Sequence, residues 1–338
     1  MRHVHSVIEP RTVYGECLLK VLVTGASGFV GKYLGVALAQ GGHRATGLCR
    51  QAALNSSYRD ICIGDMTALA EWKQALDGCD VVIHLAARAH VLSGSSDEQS
   101  ELEQFRRVNR DATLALAVEA ARRGVRRFVF VSSIGVNGNS SGSTPFDESS
   151  TPAPHASYAV SKFEAEEGLL RLAADSAMDI VIIRPPLVYA FDAPGNFARL
   201  LQLVANPIPL PFGAVDNGKS LISVANLVDF IILCMTHPNA ANERFIVADN
   251  GVVSIRELIA ELAAGMGKKA FIFSVPERFL SGAAALVGRT RLYEQLCANL
   301  ELDTRKAKRL LGWQPLQGLR EGLREAGRKF VSTERADG

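Results

Sequence analysis

Apolar residues are grouped in short runs that alternate with segments of helical periodicity through the first half of the chain. The strand-like runs cover 21–23, 45–48, 61–63, 81–85, 128–131 and 180–183. The helical pattern occupies 31–40, 68–76, 103–123 and 157–174. Continuous apolar strands separated by helices are typical of parallel sheets that are covered on both faces. We therefore predict an α/β fold with a Rossmann-type doubly wound parallel sheet.

The pattern changes after residue 185, where turn residues break the alternation. Proline, glycine and asparagine cluster at 185–186, 194–196 and 207–211. Helical periodicity returns at 255–265 and 278–286. We therefore predict that a smaller C-terminal α/β substrate lobe follows the first domain.

These patterns divide the chain into an extension, two domains and a tail. In chain order the parts are residues 1–17, 18–185, 186–330 and 331–338. The apolar segments 222–230 and 245–247 are expected to return to the first domain, so the two domains are partly interleaved. Residues 1–17 are interpreted as a disordered extension or as an overlong start assignment.

A glycine-rich turn follows the first strand. Gly25, Gly28 and Gly31 are spaced by three residues each in the segment TGASGFVG. Such a turn lets backbone N–H groups approach a pyrophosphate, and the positive end of the next helix faces it. The spacing differs from the standard G-x-G-x-x-G, but the strand, turn and helix follow in the same order. We predict a dinucleotide site, although glycines here would also suit a tight connection alone.

Tyr158 and Lys162 lie four residues apart in the segment YAVSK, so a helix would place them on one face. A phenol that titrates near pH 10 is a poor base at neutral pH. An ammonium one turn away would favour the phenolate and lower the pKa of Tyr158. Such pairs also occur by chance on solvated helices. The glycine turn upstream is what favours a proton-transfer site.

Seven separated segments of the chain form a set. They are TGASGFVG at 24–31, GDM at 64–66, HLAA at 84–87, VN at 108–109, VSS at 131–133, YAVSK at 158–162 and RPPLVY at 184–189. In order and spacing this set resembles the extended short-chain dehydrogenase/reductase superfamily. Within it, the chain resembles the NAD-dependent epimerase/dehydratase family, in the nucleotide-sugar, UDP-glucose 4-epimerase-like branch. The resemblance extends from about residue 18 to the low 320s.

The resemblance implies a catalytic set of Ser133, Tyr158 and Lys162. Ser133 would bond the reacting sugar oxygen, and Tyr158 would exchange a proton with it while a hydride moves to or from the nicotinamide. Lys162 would bind the nicotinamide ribose. Ser132 is the rival for the serine role, and spacing favours Ser133. Asn109 has two interpretations of equal weight, a catalytic residue or a structural one.

The resemblance also implies which residues line the cofactor. They are Gly25, Ser27, Gly28, Phe29, Val30, Gly31, Arg50, Asp65, Met66, Leu85, Ala86, Ala87, Arg88, Asn109, Tyr158, Lys162 and Pro185. The end of the second strand lacks a carboxylate for the ribose 2′-hydroxyl and carries Arg50, which suits a 2′-phosphate. We therefore expect NADP(H), with NAD(H) as the alternative.

For the substrate, the resemblance places Ser133 at the sugar, and Asn196 and Lys219 at the nucleotide diphosphate. Relatives that dehydrate sugars carry an Asp-Glu pair after the serine or threonine, whereas this chain has Ile134 and Gly135. A 4,6-dehydratase is therefore not expected. Two reactions at C4 of a UDP-hexose or UDP-N-acetylhexosamine are left. We favour reduction of a 4-keto sugar in surface-polysaccharide biosynthesis over 4-epimerisation, because epimerases of this branch usually hold NAD with the missing acidic residue.

A function of another class is a non-catalytic NAD(P)-binding regulator. Such a protein is expected to have lost part of the Ser, Tyr and Lys set, which is intact here.

Composition and charge limit the kinds of partner and location that we expect for this protein. A formal net charge of +2 on 338 residues gives no basic face for nucleic acid. No apolar stretch is long enough to span a bilayer. The cysteines are scattered without a C-x-x-C pair, and no spaced His and Cys set predicts a metal site. We expect a cytoplasmic enzyme, with no metal and no membrane insertion. It would form a homodimer through the helices at 103–123 and 157–174, as members of the resembled family commonly do.

Overall fold

The computed structural model describes residues 18–49, 57–62, 69–89, 98–286, 288, 293 and 296–337. The predicted N-terminal extension and the expected cofactor contacts Arg50, Asp65 and Met66 lie outside these ranges.

A seven-stranded sheet forms the centre of the molecule. Strands β1 to β6 are Lys20–Thr24, Arg44–Cys49, Arg59–Cys62, Val81–His84, Arg127–Val131 and Asp179–Arg184, and β7 to β9 are Val188–Tyr189, Ile222–Ser223 and Arg244–Ile246. The order across the sheet is β3-β2-β1-β4-β5-β6-β9, and every neighbouring pair is parallel. β7 and β8 form a separate parallel pair. The predicted Rossmann-type parallel sheet is confirmed. Its strand order reverses between β1 and β4, where sheets of this kind bind ligands.

Helices surround the sheet and build the second lobe. In the described ranges they are α1 Phe29–Gln40, α2 Leu69–Leu76, α3 Glu98–Phe105, α4 Ala112–Arg122, α5 Ser157–Ala174, α6 Asn196–Ala205, α7 Val224–Thr236, α8 Ile255–Gly265, α9 Glu277–Leu286, α10 Arg305–Leu311 and α11 Leu319–Asp337. None of these helices is long and apolar enough to cross a membrane.

Both faces of the sheet are covered, because consecutive strand side chains point to opposite sides. In β5, Val129 packs into a core that includes residues of α1 and α7. Phe128 and Phe130 pack into the opposite core, with residues of α4 and α5. The carboxyl ends of β1, β4, β5 and β6 therefore meet at one edge between the two layers.

The C-terminal part builds a third core from α6, α8 and α11. Segments of this part also return to the first domain. β9 pairs with β6, and Phe245 of β9 packs edge-on against Phe230 of α7 with ring centroids 5.4 Å apart. α11 runs through the predicted tail as far as Asp337.

The single helix predicted over 103–123 was wrong in its start and in its continuity. Helix α3 begins at Glu98, and a π-helical turn, Arg106–Asp111, separates it from α4. A π turn widens the helix locally and is frequent at functional sites. Here it contains the fully buried Asn109.

Candidate active site

The glycine turn has the shape of a pyrophosphate cradle. Gly25 has a φ of +70°, and a Cβ there would lie 2.8 Å from the Ala86 nitrogen. A Cβ on Gly31 would collide with the Gly25 carbonyl oxygen. Gly28 is the N-cap of α1, and no described side chain caps that helix. Its first N–H groups are therefore available to an anion, so the turn fits a dinucleotide.

The segment after β4 is fixed by hydrogen bonds. The N–H of Ala86 donates to the Thr24 hydroxyl at 3.2 Å. Arg88 is bound twice by Asn109: its N–H donates to Oδ1 at 2.8 Å, and its carbonyl accepts from Nδ2 at 3.1 Å. Asn109 Nδ2 also donates to the Ser161 hydroxyl at 3.0 Å. These contacts support the structural interpretation of Asn109.

His84 is a buried link that the sequence did not assign. The Thr113 hydroxyl donates its hydrogen to the Asn109 carbonyl at 2.8 Å. The hydroxyl oxygen therefore accepts from His84 Nε2, also at 2.8 Å. Nδ1 is then the acceptor for the Thr24 hydroxyl, also at 2.8 Å. Burial, with a smaller effect of the Lys162 charge, lowers the pKa of His84 to about 3. The ring is therefore neutral and joins the glycine turn to the Asn109 segment. The HLAA motif contains this histidine, but its partners come from distant segments.

Tyr158 and Lys162 occupy the first two turns of α5. Lys162 is 1% exposed, its ammonium donates to the Val131 carbonyl at 2.9 Å, and it lies 4.4 Å from the centroid of the Phe130 ring. The Tyr158 ring packs edge-on against Phe105, with centroids 6.2 Å apart. The Lys162 ammonium therefore lies at the carboxyl end of β5, and the Tyr158 ring packs against the end of α3.

The predicted lowering of the Tyr158 pKa was wrong for this structure. Burial raises the pKa of Tyr158 to about 12 and lowers the pKa of Lys162 to about 7. Both shifts have the same cause, because removing water disfavours a phenolate and an ammonium alike. The Lys162 ammonium also interacts with Val131 and Phe130. At neutral pH the phenol is therefore protonated.

Ser133 and Ser132 differ in their surroundings. Ser133 is part-exposed, and its Oγ accepts from the Gly135 N–H at 3.1 Å. A Cβ on Gly135 would lie 3.4 Å from that Oγ and 3.5 Å from Ala159, the residue after Tyr158. Ser132 is buried, and its Oγ has no hydrogen-bond partner among the described residues. Ser133 is therefore the serine that a ligand can reach beside α5.

Ser133 and the following turn, Ile134–Val136, form a segment that we call the serine turn, and it is bonded to the end of β6. The N–H of Ile134 donates to the Pro185 carbonyl at 2.9 Å. Pro185, an expected cofactor contact, thus lies at the same edge of the sheet as Ser133 and Lys162.

A buried ion pair lies one turn beyond Lys162. Arg184, at the end of β6, donates through Nε to both carboxylate oxygens of Glu166, at 3.0 and 3.1 Å. Its Nη1 donates to Asn137 Oδ1 at 3.0 Å, just after the serine turn. Glu166 and Arg184 are at most 1% exposed. The pair fixes α5, β6 and the serine turn relative to one another. Sequence reasoning missed it, although both residues lie in or beside quoted motifs.

The two expected diphosphate contacts lie in the second lobe. Asn196 is the first residue of α6, whose N-cap Gly195 has a φ of +73°. Lys219 pairs through its backbone with Val253, and burial lowers the pKa of its ammonium to about 8. These two residues stand on elements separate from those of Ser133, Tyr158 and Lys162.

Comparisons with known proteins agree with the geometry. A family model described as the NAD dependent epimerase/dehydratase family matches residues 21–248. The chain is 39% identical over 318 residues to a UDP-glucose 4-epimerase of Vibrio cholerae, covering 92% of this chain and 95% of the relative. It is 31% identical over 253 residues to an N-acetyl-alpha-D-glucosaminyl-diphospho-ditrans,octacis-undecaprenol 4-epimerase of Escherichia coli O157:H7, covering 74% and 73%.

A solved structure shares the fold. MoeE5 in complex with UDP-glucose and NAD has a TM-score of 0.73 and 25% identity, with 94% of this chain and 100% of MoeE5 covered. The glycine turn, the Ser, Tyr and Lys set and the match over most of the chain lead to one conclusion. As its motifs predict, the chain belongs to the NAD-dependent epimerase/dehydratase family of the extended short-chain dehydrogenase/reductase superfamily.

Proposed function

We propose that this enzyme catalyses oxidation and reduction at C4 of a UDP-hexose or UDP-N-acetylhexosamine, in the manner of a UDP-sugar 4-epimerase. One observation carries the proposal: Ser133 and the Lys162 ammonium lie at the carboxyl end of β5, on the sheet edge that holds the glycine turn, and Tyr158 lies one turn before Lys162 on α5. A UDP-sugar substrate is supported by the Vibrio cholerae relative and by MoeE5, whose complex contains UDP-glucose.

The residues would act as follows. Ser133 bonds the oxygen on C4, and Tyr158 gives that oxygen a proton or takes one from it. The glycine turn binds the pyrophosphate of NAD(P), and Lys162 binds its nicotinamide ribose. The nicotinamide, when bound, supplies or accepts the hydride at C4. Asn196 and Lys219 would bind the diphosphate of the sugar nucleotide.

The choice between epimerase and reductase depends on two observations. Identity of 39% to a UDP-glucose 4-epimerase over most of the chain gives the epimerase more support than the motifs alone did. Reduction of a 4-keto sugar in surface-polysaccharide biosynthesis is the second candidate. It is supported by the absence of the acidic residue after β2 with which epimerases of the resembled branch usually hold NAD.

Two incubations separate these reactions. Purified protein is given UDP-glucose or UDP-N-acetylglucosamine without added cofactor, and separately a UDP-linked 4-keto-6-deoxy sugar with NADPH or NADH. Formation of the C4 epimer in the first supports the epimerase. Net oxidation of the reduced cofactor only with the keto sugar identifies the reductase. The Tyr158→Phe variant is the control, which should bind cofactor and lose turnover. Cofactor binding without turnover in either incubation would favour the non-catalytic regulator.

For the cofactor, we propose a preference for NADP(H) over NAD(H), which rests on Arg50 and on the missing acidic residue after β2. MoeE5 contains NAD, so NAD(H) is the alternative. The Arg50→Ala variant should weaken NADP(H) binding more than NAD(H) binding in fluorescence titrations. Arg59→Ala is the matched control. Equal effects of Arg50→Ala on both cofactors would contradict the preference.

We further propose a cytoplasmic homodimer formed through α4 and α5. Part-buried apolar side chains such as Leu114 and Leu170 lie on these helices. Light scattering after size exclusion measures the mass directly. A monomer at micromolar concentration would contradict the dimer.

A further inference from the structure

Exposed apolar side chains are unevenly distributed over the described residues. Nine large hydrophobic residues are exposed there, and four of them fall within 271–286. They are Phe271, Phe273, Phe279 and Leu286, with exposures of 65%, 43%, 59% and 90%. Soluble proteins scatter such residues singly, whereas a concentration of them marks an interaction surface.

Backbone pairing explains why the first two point outward. The N–H of Leu210 donates to the Phe271 carbonyl at 2.9 Å, and the N–H of Phe273 donates to the Leu210 carbonyl at 3.0 Å. Leu210 and Ile272 pack into the core of the second lobe. Since successive side chains of an extended segment alternate, Phe271 and Phe273 project from the opposite face.

Helix α9 also carries apolar residues on a side that is exposed. Leu280 packs on the core of the second lobe. Phe279, Gly282 and Leu286 follow the helical spacing of three and four residues on an exposed side. A Cβ on Gly282 would meet no described atom within 4 Å. This helix therefore turns part of its apolar surface away from the protein.

The same segment of the sequence is rich in basic residues. Lys269 and Arg278 are exposed, and the Arg278 guanidinium lies 5.0 Å from the Phe279 ring centroid. Residues 266–293 contain five basic residues and one acidic residue, a net charge of +4. The whole chain carries +2, so the remainder is −2. Positive charge is thus concentrated in the segment that exposes the phenylalanines.

We propose that Phe271, Phe273, Phe279 and Leu286, with the cations Lys269 and Arg278, form one aromatic–basic face that docks the enzyme on an anionic lipid bilayer. Aromatic and aliphatic side chains enter the boundary between headgroups and acyl chains, and the cations bind the negative surface. The proposed contact is peripheral, because side chains of this kind reach only the headgroup boundary.

The test is co-sedimentation of the full-length protein with extruded vesicles. Vesicles of phosphatidylethanolamine with phosphatidylglycerol should carry the protein down at low salt, and vesicles of phosphatidylcholine alone should not. Raising the salt concentration should release it, because screening weakens attraction between surface charges. The Lys269→Glu and Arg278→Glu variants should each weaken partition by about tenfold. The double variant Phe271→Ser with Phe273→Ser should weaken it at least as much.

Matched controls are Val252→Ser and Leu316→Ser, which remove exposed apolar side chains outside the face. Both should sediment like the unchanged protein. Circular dichroism and turnover confirm that each variant is folded. Three outcomes overturn the proposal: no sedimentation with anionic vesicles, sedimentation that the phenylalanine variants do not reduce, or a dimer that those variants convert to a monomer. The last would show that the face binds a second copy of the chain.

Discussion

Ser132 and Ser133 are adjacent residues with different surroundings. The hydroxyl of Ser133 is reachable and lies beside the first turn of α5, whereas that of Ser132 is enclosed and has no partner among the residues described. An enclosed hydroxyl without a partner contributes nothing to stability and costs the free energy of its desolvation.

We therefore predict that Ser133→Ala lowers kcat/KM by about a hundredfold, because the substitution removes the hydrogen bond to the reacting oxygen that the proposed mechanism assigns to Ser133. Ser132→Ala should keep turnover and unfold at the same temperature or a higher one. Steady-state kinetics and thermal unfolding of the two variants check this. A larger loss of turnover for Ser132→Ala would reverse the assignment.

Lys162 gives a pH dependence with a defined sign. Burial lowers its pKa from 10.5 to about 7 in the folded protein. Between these values the unfolded chain binds more protons than the folded one. The contribution of Lys162 to stability therefore rises as pH increases across this window and is lost as pH falls toward 7.

Lys162→Met should consequently stabilise the cofactor-free protein at pH 7 and flatten the dependence of its unfolding free energy on pH between 7 and 10. Urea unfolding at several pH values measures this, and Lys32→Met on the exposed side of α1 is the control. Equal destabilisation of the Lys162 variant at both ends of the window would contradict the assigned pKa.

At the scale of elements, the Glu166–Arg184 pair connects α5 to β6 and, through Asn137, to the serine turn. Replacing one member of a buried pair leaves the other charge uncompensated, whereas replacing both is often neutral. We predict that Glu166→Gln costs about 3–5 kcal/mol of unfolding free energy. Adding Arg184→Met should recover much of that loss.

Denaturant unfolding of the single and double variants measures both effects. Arg126→Gln, which breaks an exposed pair with Asp80, should cost less than about 1 kcal/mol. If the double variant is no more stable than Glu166→Gln, the packing of the two side chains matters more than their charge.

Elements that depend on local pattern were predicted well, and those that depend on distant partners were not. α5 and α8 match the periodic segments, and β4 differs by one residue. The start of α3 at Glu98 was missed because residues 98–102 are mostly polar and show no apolar period. The π turn was missed because its buried Asn109 bonds Arg88 and Ser161, which are 21 and 52 residues away.

The same limit applied to the site. The glycine turn and the Tyr158–Lys162 spacing are local signals that can be read from the sequence, while the roles of Tyr158 and Lys162 stay predictions. The His84 link and the pKa of Tyr158 depend on burial and on side chains from other strands, which spacing along the chain does not report.

At the scale of the whole molecule, the Asp249 carboxylate connects segments of the first domain with segments of the second lobe. Asp249 accepts from the Tyr189 hydroxyl at 2.6 Å, the Ser223 N–H at 3.0 Å and Asn226 Nδ2 at 2.6 Å. Asn226 Oδ1 in turn accepts from the N–H of Leu316, just before α11, at 2.7 Å. The β7–β8 pair, α7 and the C-terminal segment are thus held at one point.

We predict that Asp249→Ala lowers the unfolding free energy by about 3 kcal/mol, because the Ser223 N–H loses its acceptor and the Tyr189 hydroxyl and Asn226 amide each lose one of two. Asp249→Asn keeps one acceptor oxygen and should cost less. Urea unfolding followed by tryptophan fluorescence measures both, with the exposed Asp216→Ala as control. A loss for Asp249→Ala no larger than that of the control would show that the lobes are held elsewhere.

The edge strand β9 is synthesised long after its neighbour β6, which affects folding during translation. β9 lies beside β6 in space, but 59 residues separate the end of β6 at Arg184 from the start of β9 at Arg244. While the ribosome synthesises the intervening segment, one edge of β6 therefore has no strand to pair with. Such edges invite pairing with other nascent chains. A fragment that stops near residue 190 should accordingly aggregate, and one that extends past β9 should not.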